Sequence, residues 1–188
     1  MSITMIGVAV VISMLLLYAS VVFNRFVRNR NMVQDAWSNI DVALKKRHDL
    51  IPNLVNTVKG YAAHERETLT QVIASRNTAV SVNAEDIAGR IKAENQLQQS
   101  IGRLIAVAEA YPNLKADTSF LKFQTQLSQI EELLERARRY YNSTVRENNT
   151  YGESFPGLLF AGIFNYRHFD FFEIGGDERD NVIVDFKN

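Results

Sequence analysis

From Ile3 to Phe23 the chain carries no charged side chain, and Arg25, Arg28 and Arg30 follow within a few positions. A helix needs about 20 mainly apolar residues to cross the hydrocarbon core of a bilayer. The run supplies that length, with only Thr4, Gly7, Ser13, Tyr18 and Ser20 as small or weakly polar interruptions. The reading is a single membrane-spanning helix. Its flanks set an expected orientation. Only Met1 and Ser2 precede the run, whereas Arg25, Arg28 and Arg30 come before the first acid, Asp35. The positive-inside rule then places the arginines in the cytoplasm and the N-terminus outside. Each arginine near the surface can also attract anionic headgroups by about 1 kcal/mol.

A cleaved signal peptide would need a basic start, a shorter apolar region of about 7–15 residues and a small-residue cleavage site. The start carries no Lys or Arg, and Ala19-Ser20-Val21 is a poor site. An uncleaved anchor is therefore expected. The chain contains no cysteine, which excludes an acylated lipoprotein, structural disulfides and thiolate zinc sites.

About 165 residues follow the anchor, enough for a domain with its own core. They hold 21 basic and 21 acidic residues, net zero. That balance argues against a nucleic-acid binder, which shows a basic excess on one face. Between Asn24 and Tyr151 the breakers are Pro52, Pro112, Gly60, Gly89 and Gly102. So few, with apolar residues at three- and four-residue spacing, predict long helices. Val33, Trp37, Ile40 and Leu44 mark a first stripe, and Leu54, Val55, Val58, Ala62, Leu69, Val72 and Ile73 a second. Asn83 is the expected N-cap of the third, whose stripe runs from Ile87 to Ile105, and Tyr111-Pro112 ends it. Asp117 is expected to cap the fourth, whose stripe runs from Phe120 to Val145. At Pro52 two readings compete. Asp49 caps a new helix with Pro52 in its first turn, or one helix runs through and bends there.

The tail has a different composition. From Phe155 to Phe172 it reads FPGLLFAGIFNYRHFDFF, and Asn181 to Phe186 resembles a short extended piece. Aromatic segments without helical periodicity must be buried or remain an adhesive patch. Either Phe155, Leu159, Phe160 and Phe164 cover an end or groove of the bundle, or the tail docks on a partner or the lipid interface.

Motifs for chemistry are sparse. No Glu-x-x-His or His-Glu-x-x-His spacing occurs, and His48-Asp49 and His64-Glu65 are read as helix-face residues rather than metal ligands. No Gly-x-Ser-x-Gly elbow, Gly-x-Gly-x-x-Gly turn or Walker loop is present. Catalytic residues, cofactors, metal ligands, nucleic acid and small-molecule substrates are therefore expected to be none. Lys45-Lys46-Arg47, and Arg136, Arg138 and Arg139 beside Tyr140 and Tyr141, could meet anionic lipid or nucleic acid, or hold their heads in water with stems along apolar surface; Glu131, Glu132 and Glu135 favour the second reading for Arg138 and Arg139. Trp37, on the first stripe, is expected in the core.

Ordered motifs along the chain resemble the LemA family. They are Ala36-Trp-Ser-Asn-Ile-Asp-Val42, Lys46-Arg-His-Asp-Leu-Ile-Pro-Asn-Leu-Val55, Val58-Lys-Gly-Tyr61, His64-Glu65, Glu109-Ala-Tyr-Pro-Asn-Leu-Lys-Ala116, Arg138-Arg-Tyr-Tyr-Asn142, Val145-Arg-Glu-Asn148 and Phe155-Pro156. Asn148-Asn149 stands where Tyr-Asn is more usual after Arg-Glu, and His48 where Ala is common. The resemblance implies a membrane-anchored four-helix bundle with no established enzymatic activity. Similar proteins are often encoded near membrane zinc peptidases or small membrane-repair domains, and some act in magnetosome membranes, so the resemblance implies a scaffold or adaptor.

Together these readings give an all-α chain. An anchor over 1–28 precedes an antiparallel four-helix bundle over 29–151 and an irregular aromatic tail over 152–188. The expected protein is a cytoplasmic-facing interaction scaffold in a bacterial inner membrane. Its partners would be the lipid bilayer and a protein partner or a second copy. A self-assembling oligomer is the alternative, and an enzyme with a site shared between chains the least supported. The contacts expected for lipid or partner are Arg25, Arg28, Arg30, Phe155, Phe160, Phe164, Tyr166, Phe169, Phe171 and Phe172. With no breaker between Asn24 and Asn31, the spanning helix is expected to run directly into the first bundle helix.

Overall fold

The structure, a computed structural model, describes residues 3–83 and 86–172. The extended piece expected at Asn181 to Phe186 lies outside the described residues. The described residues form helices α1 (Ile3–Tyr61), α2 (Arg66–Ser81), α3 (Ile87–Glu109), α4 (Pro112–Lys115), α5 (Thr118–Glu153) and α6 (Gly157–Phe160), and no strand is found among them. The apolar run and the first stripe lie on the same helix, α1, as the absence of breakers predicts. Within the run, Ser13 and Ser20 turn their hydroxyls back onto the carbonyls of Ala9 and Leu16, each at 2.9 Å. Both side chains thereby satisfy themselves without water. α1 is long and apolar enough at its N-terminal end to cross a membrane, and that end is almost wholly uncovered by the rest of the chain.

The described residues form two compact units. One draws on residues up to Asp41 together with Arg136–Phe171, the other on Val42–Glu135. In the second unit the core holds Ile51, Leu54 and Val58 of α1, Val72 of α2, Leu97, Ile101 and Leu104 of α3, Leu114 of α4 and Phe120 of α5. Each such side chain contributes about 1.5–3 kcal/mol when fully removed from water.

In this unit the structure decides between the two readings at Pro52 and corrects one expected cap. Asp49 does not cap a new helix. It lies inside α1, and the helix runs through Pro52 to Tyr61. Proline removes the amide that would bond the carbonyl four residues back. Here that carbonyl belongs to His48, and Arg76 Nε of α2 donates to it at 3.2 Å. The second apolar stripe is instead interrupted at Ala62–Glu65, where α1 gives way to a turn before α2. Asn83 is not the cap of α3 either. Asp86 is, its side chain accepting from the Gly89 amide at 2.8 Å. A Cβ at Gly89 would lie 2.2 Å from the Asp86 carboxylate, so a side chain there would displace the capping group. Pro112 opens α4, where its missing amide costs nothing. Asp117 caps α5 as expected, accepting from the Phe120 amide at 2.9 Å.

In the first unit, Val22, Phe26, Val33, Ala36 and Ile40 are the buried apolar residues of α1, and Ala137, Tyr141, Val145 and Tyr151 those of α5. Trp37 is half-buried against Tyr141, with ring centroids 5.3 Å apart. Asn165, at φ 50°, turns the chain after α6, a conformation asparagine tolerates better than most residues.

Candidate functional site

The charge-free run and the aromatic tail meet in the first unit. Val22 and Phe26 of α1 and Tyr151 of α5 form a buried cluster, and Phe160, Ala161, Phe164 and Tyr166 pack around it. The rings lie mostly edge to face. Phe26 is 4.9 Å from Tyr151, Phe23 is 5.2 Å from Phe164, and Tyr18 is 6.3 Å from Phe160. Such pairs add about 0.5–1.5 kcal/mol beyond their buried area. Two glycines let the backbone approach closely. A Cβ at Gly157 would lie 1.9 Å from the Tyr151 carbonyl oxygen, and one at Gly152 would lie 2.3 Å from the Tyr166 ring.

Beyond α6, polar contacts hold the chain. Asn149 Nδ2 donates to the Phe169 carbonyl at 2.8 Å, and the Phe169 amide donates back to Asn149 Oδ1 at 3.1 Å. Asn148 Nδ2 donates to the Arg167 carbonyl at 3.0 Å. Both asparagines are buried. They give residues 167–169 the pairing that a neighbouring strand would otherwise supply. The Tyr141 hydroxyl donates to the Asp170 carbonyl at 3.0 Å. Burial, reinforced by the nearby Asp170 charge, pushes that phenol up to about 12, so it remains a donor throughout the physiological range.

The residues singled out as lipid or partner contacts divide between these surroundings. Phe160, Phe164, Tyr166 and Phe169 are partly covered, with Phe160, Phe164 and Tyr166 on the α1 cluster. Phe172 is buried, whereas Phe155 and Phe171 are exposed. Arg25, Arg28 and Arg30 are exposed. The Arg25 guanidinium lies over the Tyr151 ring, 4.7 Å from its centroid. Arg30, with Phe23, Phe164 and Arg167, borders a cavity of about 170 Å³. Leu159 stays exposed while Phe160 and Phe164 cover α1, so the two faces of the tail have separate surroundings.

A second polar centre, in the other unit, was missed by the sequence reading. Arg47 is completely buried, which neither reading of the Lys45-Lys46-Arg47 run anticipates. It pairs with the buried Glu94 of α3 and, at 3.0 Å, with Glu131 of α5. His48 Nε2 lies 2.7 Å from the other Glu94 oxygen. Burial pushes the Glu94 carboxyl up, but the His48 hydrogen bond and the Arg47 charge outweigh it and leave the group below its ordinary value. The available signal was Glu94 itself, an acid between Ala93 and Leu97 on the apolar stripe of α3. Among the described residues no three His, Asp or Glu side chains converge in a way that could hold a metal ion.

Protein LemA of Metamycoplasma hominis is 28% identical over 127 residues, covering 68% of this chain and 58% of that protein. Magnetosome protein MamQ 2 of Paramagnetospirillum magneticum is 23% identical over 175 residues, covering 80% of this chain and 64% of that protein. Magnetosome protein MamQ of Magnetospirillum gryphiswaldense is 21% identical over 174 residues, with the same coverage of 80% and 64%. The chain thus spans about three-fifths of the length of the curated relatives it matches. These relatives and the apolar end of α1 fit a membrane-associated protein. The LemA family model matches residues 36–186, most of the chain, and the protein belongs to the LemA family.

Proposed function

We propose that this chain is a single-pass protein of a bacterial inner membrane, with its N-terminus outside and the charged remainder in the cytoplasm. It acts there as a non-catalytic interaction scaffold, its helices arranged as an antiparallel four-helix bundle. The observation that carries the reading is the packing of the aromatic segment on α1. Phe160 and Phe164 lie against Tyr18 and Phe23, inside the uncharged run. The anchor is therefore part of a packed unit and not a loose tether. That arrangement suits a protein whose role depends on being held at the bilayer surface. The exposed arginines at positions 25, 28 and 30 favour the cytoplasmic side.

Two measurements in cells test this. A cysteine placed at Lys122 should react with a membrane-impermeant maleimide only after the inner membrane is opened. Labelling in intact spheroplasts would reverse the orientation. Photo-crosslinkers at exposed positions of α2 and α5 should then capture defined protein partners. Capture of this chain alone would replace the scaffold reading with self-assembly, and no capture would remove both.

A further inference from the structure

Residues 154–166 read SFPGLLFAGIFNY, with no charge between Glu153 and Arg167. One side of this stretch is fixed to α1 by the Tyr18–Phe160 contact at 6.3 Å and the Phe23–Phe164 contact at 5.2 Å. Tyr18 lies five residues before the end of the uncharged run. At 1.5 Å per residue that is about 7.5 Å deeper than Phe23. The medium that surrounds α1 at this level therefore also surrounds α6 and the turn after it.

The other side of the stretch is apolar and uncovered. Phe155, Leu158, Leu159 and Ile163 are exposed, and Leu159, at 65%, is as open as Leu16 in the anchor, also 65%. Part of the backbone is paired internally, as a dry environment favours. The Leu158 amide bonds the Ser154 carbonyl at 2.8 Å, Leu159 bonds Pro156 at 3.2 Å, and Ile163 bonds Phe160 at 3.0 Å. Phe164 bonds Phe160 and Tyr166 bonds Ala161, both at 2.9 Å, and Pro156 has no amide to satisfy. Polar groups resume at the edges, with Arg25 over the Tyr151 ring and His168 3.0 Å from Glu153.

We infer that residues 155–164 are a second membrane contact, a short apolar wedge inserted among the acyl chains of the cytoplasmic leaflet beside α1. The inference rests on α1 crossing the bilayer with the orientation proposed above. Lipid is the occupant because the uncovered face of the wedge is level with the lipid-facing side of the anchor. A partner protein would have to reach the same depth. Arg25 and Arg167, at the two edges, fall at the level of the headgroups.

The test uses the full chain in vesicles of phosphatidylcholine and phosphatidylglycerol. The chain has no cysteine, so Leu16→Cys, Leu159→Cys, Ile163→Cys and Lys122→Cys each provide a single site for an environment-sensitive fluorophore. Labels at Leu159 and Ile163 should lose emission to lipid carrying an acyl-chain nitroxide and keep it in aqueous iodide, as the label at Leu16 does. The label at Lys122 should do the reverse. Iodide quenching at Leu159 and Ile163, with Leu16 still quenched from the lipid, overturns the wedge and leaves the anchor intact. Shielding of those two labels from both quenchers also overturns it, in favour of a protein covering the face. Iodide quenching at Leu16 itself removes the anchor reading, and the wedge with it.

Discussion

Arg76 Nε donates to the carbonyl oxygen of His48 at 3.2 Å, and His48 is the residue whose carbonyl Pro52 leaves without a helical partner. A proline inside a helix costs about 3 kcal/mol or more, part of it through the lost backbone bond. The guanidinium of a neighbouring helix supplies a replacement donor, and a charged donor is stronger than an amide. The two residues should therefore be energetically coupled. In thermal or denaturant melts, Arg76→Met should destabilise the parent chain by about 1–3 kcal/mol. In a Pro52→Ala background, where residue 52 regains its amide, the same change should cost clearly less. Equal costs in both backgrounds would mean that the contact does not compensate for the proline.

This contact also explains what was legible in the sequence. Spacing of Val33, Ile40, Leu44, Leu54 and Val58 predicts helix, and all five are buried on α1. The replacement donor for Pro52, Arg76, stands 24 positions further on, and no local pattern reports that contact. Arg47 is a similar case. In Lys45-Lys46-Arg47 the three cations look alike, yet helical geometry turns only Arg47 inward, where Glu94 and Glu131 meet it. The turn at Ala62–Glu65 lacks Pro and Gly. It carries a local Glu65 amide to Ala62 carbonyl bond at 3.1 Å and a tertiary contact, the Tyr111 hydroxyl on Glu65 at 3.2 Å. For the aromatic tail, composition left burial on the bundle and docking on a partner or lipid both open, and did not separate the residues that cover α1 from those that stay exposed.

The Arg47–Glu94–His48 cluster predicts acid lability. The Glu94 carboxyl is held below its ordinary value, so its ionised form is favoured by folding. That contribution is fully present above the unfolded-chain value of about 4.3 and is lost as pH falls through the lower folded value. Melting temperature in detergent should fall steeply below about pH 4. Glu94→Gln should remove much of that slope while lowering stability at neutral pH by about 3–5 kcal/mol, because Arg47 is left buried and short of its partner. An unchanged acid slope in Glu94→Gln would assign it to other carboxylates.

Close approach at Gly157 predicts that a single methyl group releases the aromatic segment. A side chain there would sit 1.9 Å from the Tyr151 carbonyl, and backbone atoms have little freedom to move aside. Gly157→Ala should therefore unseat Phe160 and Phe164 from Tyr18 and Phe23 while leaving α1 and α5 helical. Limited proteolysis in mild detergent should cleave near Phe155–Phe164 far faster than in the parent chain, with little loss of far-ultraviolet helical signal. Gly162→Ala is the control, because a Cβ there meets nothing within 4 Å and should leave the cleavage rate unchanged.

Asn149 bridges α5 to residues 166–169 with both ends of its amide. It donates to the Phe169 carbonyl at 2.8 Å and accepts from the Phe169 amide at 3.1 Å, while Asn148 holds the Arg167 carbonyl beside it at 3.0 Å. An aspartate at position 149 could keep the accepting half but would place a charge in a buried site with no donor for Phe169, and alanine would lose both halves. Leaving a buried backbone group unpaired costs about 1–3 kcal/mol. Asn149→Ala should thus lower the opening free energy of the segment by several kcal/mol, more than Asn148→Ala, which frees a single carbonyl. Hydrogen exchange resolves the difference. The Phe169 amide should lose protection in Asn149→Ala and keep most of it in Asn148→Ala, with the amides of α3 unchanged in both. Equal protection of Phe169 in Asn149→Ala and the parent chain would show that the aromatic packing alone holds the segment on the anchor.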